Sequence, residues 1–223
     1  MSSKKLQSWS IRSIVALALL ALFSTRLFAA GHCGAPDEKV RRGIVLIEAG
    51  VSVGSGVVIG DNLVLTAAHV VVDRSRVEVS DSGFHTTGFV VSRQRELDLA
   101  LIETSDNLPF PAVPFARHSR TRLEKVWAMG YPFGQALVAA SGQYKGLWAN
   151  SLYTSASVNF GQSGGGLIAC ENGRHVLAGI VRAFGATRVD GKLVRRDDVS
   201  VATTIDDVRR FLDSRQVALT AHQ

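Results

Sequence analysis

Phe160-Gly161-Gln162-Ser163-Gly164-Gly165-Gly166 sets one hydroxyl among backbone positions that side chains cannot crowd. A serine so placed is a candidate nucleophile. It attacks only when a base takes its proton and a third group holds that base. Leu65-Thr66-Ala67-Ala68-His69-Val70 ends an apolar run on His69, and Arg95-Glu96-Leu97-Asp98-Leu99-Ala100-Leu101-Ile102 embeds Asp98 among apolar residues. A carboxylate in such a run is costly to bury unless paired, so it asks for a partner such as the imidazole. Asp73 is the rival acid. Val70, Val71 and Val72 carry it out to a turn beside Arg74 and Ser75, where a solvated role is more natural. The order base, acid, nucleophile along the chain is one of the known arrangements of a catalytic triad. The amides of Gly161 and Ser163 are the candidate oxyanion donors. For His69 and Asp98 to meet Ser163, the two halves of the chain have to face each other across one groove.

From about residue 42 onward the pattern is short β-rich runs separated by Gly, Asn, Asp and Ser, which predicts an all-β fold. Runs at 43–48, 55–59, 63–66, 76–79, 87–91 and 97–103 form the first half, with Gly60-Asp61-Asn62 as a hairpin turn. Residues 106–119 carry Pro109, Pro111 and Pro114, which a sheet interior does not tolerate, and read as a connector. Runs at 125–129, 135–141, 151–158, 165–169, 175–181 and 199–202 make the second half. Two antiparallel β-barrels packed together are predicted, over about 40–105 and 120–203, although no sequence repeat relates the halves. Thr204 can cap a closing helix over 204–214, with Asp206 and Asp207 in its first turn and Ile205, Val208, Phe211 and Leu212 on one face.

The first 30 residues read as an export signal rather than as part of the fold. Lys4, Lys5 and Arg12 precede an apolar run from Ile14 to Phe23, small residues follow at Ala29-Ala30-Gly31, and Arg26 closes the run too early for a bilayer span. An uncleaved anchor is the competing reading. Four of the 25 basic residues and none of the 19 acidic ones lie in that segment, leaving a nearly balanced 21 against 19. That balance argues against nucleic acid as a partner, and pairs such as Arg41-Arg42 and Arg195-Arg196 read as solvated surface. Cys33 and Cys170 permit one disulfide in an exported chain. The alternative is a buried free Cys170 and a loose Cys33. Neither cysteine has metal-ligand spacing, so no metal and no other cofactor is expected. His85, His118, His175 and His222 lie among polar or turn residues and read as surface groups.

Taken together, these blocks resemble the trypsin-like (chymotrypsin-fold) serine proteases, and within them the bacterial Htr/Deg branch. Gly54-Ser55-Gly56-Val57-Val58-Ile59 followed by 65–71 resembles the family's histidine block, and Asp98-Leu99-Ala100-Leu101-Ile102 its aspartate block. Ala128-Met129-Gly130-Tyr131-Pro132-Phe133-Gly134 resembles a turn of the Htr branch, while residues 154–165 and Gly179-Ile180-Val181 resemble the nucleophile block and the strand after it. The resemblance implies two perpendicular barrels with His69, Asp98 and Ser163 in the cleft between them, and peptide-bond hydrolysis through a serine ester. It also implies Ser157 at the base of the specificity pocket, with Arg182-Ala183-Phe184 along its wall. Without a carboxylate at that base, small or medium apolar side chains are the expected preference, and acidic ones drawn by Arg182 the second. Gln162 stands where trypsin-like zymogens carry an acid that pairs with a freed N-terminus, so activation by that route is not expected. Residues 31–223 read as a protease domain without the PDZ module of the Htr branch. The partner expected is a peptide or protein substrate, with no stable membrane association once the signal is cleaved and the oligomeric state undetermined. The rival function is a catalytically silent module that binds peptides by strand addition beside residues 179–184.

Overall fold

The computed structural model describes residues 33–214 apart from Ser82 and Ser119; the leader read over 1–30 and His222 lie outside them. Strands β1 (Ile44–Ala49), β2 (Ser52–Gly60), β3 (Leu63–Thr66), β4 (Arg76–Asp81), β5 (Phe84–Gln94) and β6 (Leu99–Thr104) close a first barrel in the spatial order β1-β2-β3-β6-β5-β4. Strands β7 (Lys125–Gly130), β8 (Val138–Trp148), β9 (Ser151–Thr154), β10 (Gly166–Glu171), β11 (Arg174–Val189) and β12 (Lys192–Thr204) close a second in the equivalent order β7-β8-β9-β12-β11-β10. The symmetry that the sequence does not display is therefore present in the topology.

The two-residue period of the strands explains how the barrels are joined. Val58, Val64, Ala100 and Ile102 point into the first barrel's own core. Their neighbours Val57, Ile59, Leu65, Leu99 and Leu101 point the other way and join the core of the second barrel. Strands apolar on both faces are thus required in the first barrel, and runs such as 97–102 supply them. The connector crosses this junction, with Val113 N–H donating to Val58 O (2.9 Å) and Leu177 N–H to Pro114 O (2.7 Å). Leu108, Phe110, Val113 and Ala116 are buried along it.

Helix α1 (Glu38–Arg42), which no periodicity in the sequence announced, is capped by Asp37, whose carboxylate accepts from Val40 N–H at 3.0 Å. That bond, more than the nearby His175 and Lys39, holds the Asp37 carboxyl below its ordinary range. Cys33 and Cys170 are joined, with Cα atoms 5.7 Å apart across 137 residues of sequence. His175 is not the surface group expected. It is 7% exposed, lies edge-on to Trp127, and sits 3.3 Å from both Asp37 Oδ2 and Gly34 O, so it pins the N-terminal segment to the second barrel. The closing helix, α2 (Ile205–Asp213), is capped by Thr204 Oγ1 and buries Ile205, Val208, Phe211 and Leu212.

Several strands of the second barrel differ from their expected limits. The run read over 151–158 stops at Thr154, because Thr154 Oγ1 accepts from Ala156 N–H (3.0 Å) and turns the chain. Strands β11 and β12 extend well past their expected ends into a hairpin that turns at Asp190 and Gly191, both with positive φ.

Candidate active site

His69 leaves the end of β3 in a turn tied by Val70 N–H to Ala67 O (3.1 Å). Asp98 occupies the turn entering β6 with φ +54°, its N–H donating to Arg95 O at 3.1 Å. Adjacent pairing of β3 with β6 brings these two turns together. Asp98 then grips His69 twice, Oδ1 accepting from the His69 amide (3.0 Å) and Oδ2 lying 2.8 Å from Nδ1. An ionised carboxylate only accepts, so Nδ1 carries the proton and Nε2 keeps a free lone pair. Asp73 instead meets Arg95 at 3.4 Å with its side chain 77% exposed.

The nucleophile loop reaches the same groove from the second barrel. Ser163 and His69 line one cleft of about 350 Å³, together with Val70, Phe160, Arg182 and Phe184. The resting Ser163 hydroxyl donates to Arg182 O at 3.1 Å. Gly161 and Gly164 have φ of +90° and +84°, and a Cβ there would lie 2.4 Å from Tyr131 O and 2.2 Å from Ser55 O, so only glycine fits. Phe133 N–H donates to Phe160 O (2.7 Å), which fixes the peptide before Gly161. The amides of Gly161 and Ser163 have no acceptor among the described residues.

The sequence reading missed the part played by Ser55. It is fully buried on β2, its amide donates to Ser163 O (2.8 Å), and its hydroxyl donates to Gly161 O (2.7 Å) while accepting from Tyr131 N–H (2.8 Å). One residue of the first barrel therefore fixes both ends of the Gly161–Ser163 segment, one through its hydroxyl and the other through its backbone amide. Only its place in the Gly54-Ser55-Gly56 motif pointed to it. Gln162 is 2% exposed, and its Oε1 accepts from Asn159 N–H at 2.7 Å, so the loop is braced from within.

The substrate-binding residues expected from the sequence divide. Arg182 and Phe184 line the cleft, and Phe184 stands edge-on to Phe160 with ring centroids 5.1 Å apart. Ser157 is not among the lining residues; its Oγ accepts from Arg195 Nη2 (3.2 Å), and the Arg195 guanidinium lies 5.8 Å from the Phe184 ring. Arg195 is thus packed rather than freely solvated as expected. Val158 and the two phenylalanines bound the cleft in place of Ser157.

A profile of the family described as trypsin-like peptidase domain matches residues 54–180. The chain is 33% identical over 163 residues to the mitochondrial serine protease HTRA2 of Bos taurus, covering 64% of this chain and 36% of that one. It is 30% identical over 191 residues to the serine protease HTR4 of the same organism, covering 76% and 40%. The chain therefore spans less than half the length of these curated relatives. Among solved structures, the serine endoprotease from Yersinia pestis superposes with a TM-score of 0.68 at 22% identity, over 79% of this chain and 63% of that one. The active form of the Rv3671c protease from M. tuberculosis gives 0.67 at 23%, over 86% and 91%. At such identities the structural likeness speaks for the fold.

Proposed function

Because the chain belongs to the trypsin-like peptidase family, we propose that it is an exported serine endopeptidase acting through His69, Asp98 and Ser163. The observation that carries this reading is the double grip of Asp98 on His69, which leaves Nε2 free in the cleft that Ser163 also lines. A binding module needs neither the base nor the held acid. In the reaction, Ser163 Oγ turns from Arg182 O, gives its proton to His69 Nε2 and attacks the substrate carbonyl carbon. The charge that develops on the carbonyl oxygen falls to the amides of Gly161 and Ser163. Return of the proton from Nε2 to the departing amine breaks the peptide bond and leaves a serine ester. Water then repeats the sequence and frees the acid.

The apolar boundary made by Val158, Phe160 and Phe184 favours small or medium apolar side chains at the cleaved position. A cleavage profile dominated by Lys or Arg would count against that preference. Export is supported by the basic-then-apolar leader and by the Cys33–Cys170 bond, which belongs to an oxidising compartment.

One observation favours a second reading, strand addition by a silent protein: the Ser163 hydroxyl rests on Arg182 O at 3.1 Å. Fluorophosphonate labelling separates the two. The wild type is expected to label at Ser163 and Ser163→Ala to remain unlabelled. A folded wild type that stays inert at pH 8 with substrate peptides present would favour the binder.

A further inference from the structure

Asp98 Oδ2 has a cation beside it as well as the imidazole. Arg182 Nε lies 3.6 Å from the same oxygen that His69 Nδ1 approaches at 2.8 Å. The guanidinium is not a loose surface group. Its side chain is 29% exposed, its Nη1 donates to Ser151 Oγ (3.3 Å), and its own backbone carbonyl receives the Ser163 hydroxyl. Arg182 therefore touches the acid with its side chain and the nucleophile with its backbone. The strand from Val181 to Phe184 fixes both contacts at once, since Val181 is bonded to the nucleophile loop through Gly164 N–H (2.7 Å) and Gly165 O (2.8 Å).

Resting on the hydrolase reading above, we propose that Arg182 is a positioning residue that shares Asp98 with His69 and sets the pH at which the base becomes free. Asp98 alone would favour the imidazolium strongly, because an anion in contact with Nδ1 stabilises the positive ring. A fixed guanidinium on the same carboxylate oxygen offsets part of that attraction. It also keeps Asp98 ionised and oriented without relying on His69 to hold it. The other charged side chains lining the cavity beside the ring are Asp73 and Arg95, which pair with each other at 3.4 Å. The result is a base that is neutral at lower pH than the Asp98–His69 pair alone would allow.

The test is the acidic limb of the pH–kcat/KM profile, together with NMR titration of the His69 ring in the Ser163→Ala background, assigned by its loss in His69→Gln. Arg182→Met is expected to move both midpoints up by on the order of 0.5–1 pH unit. With each profile normalised to its own plateau, kcat/KM at pH 6 then falls by about three- to tenfold relative to wild type. Arg182→Lys, which keeps a cation on the strand, is expected to restore most of the shift. Ser151→Ala, which frees the guanidinium from its hydroxyl, should shift the midpoint in the same direction by less, and it serves if the Met variant fails to fold. An unmoved midpoint in Arg182→Met, or in Ser151→Ala where that variant stands in, would overturn the proposal. So would an Arg182→Lys protein that shifts as far as the Met variant. The NMR arm reads the coupling whether or not peptide is cleaved, so failure of the hydrolase reading is distinguishable from failure of this one.

Discussion

At the scale of single residues, Ser55 shows how much of a reactive loop can depend on a group that never meets substrate. Its hydroxyl bridges Gly161 O and Tyr131 N–H, both in buried surroundings. Ser55→Ala strands a donor and an acceptor, at a cost of about 1–3 kcal/mol in stability. The peptide that follows Gly161 loses its anchor between the two donor amides of Gly161 and Ser163, so ester hydrolysis is expected to fall by about 10- to 100-fold, mostly in kcat. A variant with wild-type kcat would show that the loop holds its shape without this hydroxyl. His69, Asp98 and Ser163 were legible in the sequence because each needs a particular neighbourhood, an apolar run or a glycine loop, that a local window contains. The contacts of Ser55 and Arg182 were not, although both residues lie in stretches the sequence singled out. Those contacts are bonds to residues 106 and 84 positions away, to Gly161 and Asp98, which no local window contains.

Among the elements, the end of β10 clamps the connector. Glu171 accepts from the amides of Arg117 (2.9 Å) and His118 (2.9 Å), and from the nearly buried Arg120. Burial works to raise the Glu171 carboxyl, but those two amides and the Arg120 guanidinium outweigh it and hold the group below its ordinary value of 4.5. A depressed carboxyl stabilises the fold in full above its unfolded value, and the contribution fades as pH falls through the folded one. Glu171→Gln is therefore expected to lower stability by about 1–3 kcal/mol at pH 7. The gap from wild type should close progressively below pH 4.5, as followed by denaturant melts at several pH values. A gap that stays constant into acid would mean that charge plays no part in the clamp. The β11–β12 hairpin shows why element limits were only partly legible. Both its faces are solvated beyond the barrel, with Val189, Leu193 and Val194 exposed among Arg188, Lys192 and Arg196, so no apolar alternation marks it.

For the whole molecule, the Cys33–Cys170 bond and the buried His175 bind the start of the fold to the far barrel. Cross-linking a span of 137 residues restricts the unfolded chain far more than the folded one. Cys33→Ser is expected to lower stability by about 2–5 kcal/mol with little change in kcat, since neither cysteine lines the cleft. An unchanged melting temperature would place the restraint in His175 and the capped helix α1 instead. The duplicate barrel was legible only as a count of strands, because equivalent order in space leaves no equivalent letters in sequence.

The split of the reacting groups between barrels has its own consequence. In the proposed mechanism base and acid ride on one body, nucleophile and anion-binding amides on the other, and the seam is stitched beside each: Ser55 N–H to Ser163 O (2.8 Å) and Thr203 Oγ1 to Leu97 O (2.8 Å). A slip of a fraction of an ångström along that seam would leave every strand intact and the chemistry silent. Any effector that wedges or tightens the two lobes would act as a throttle without approaching the reaction centre.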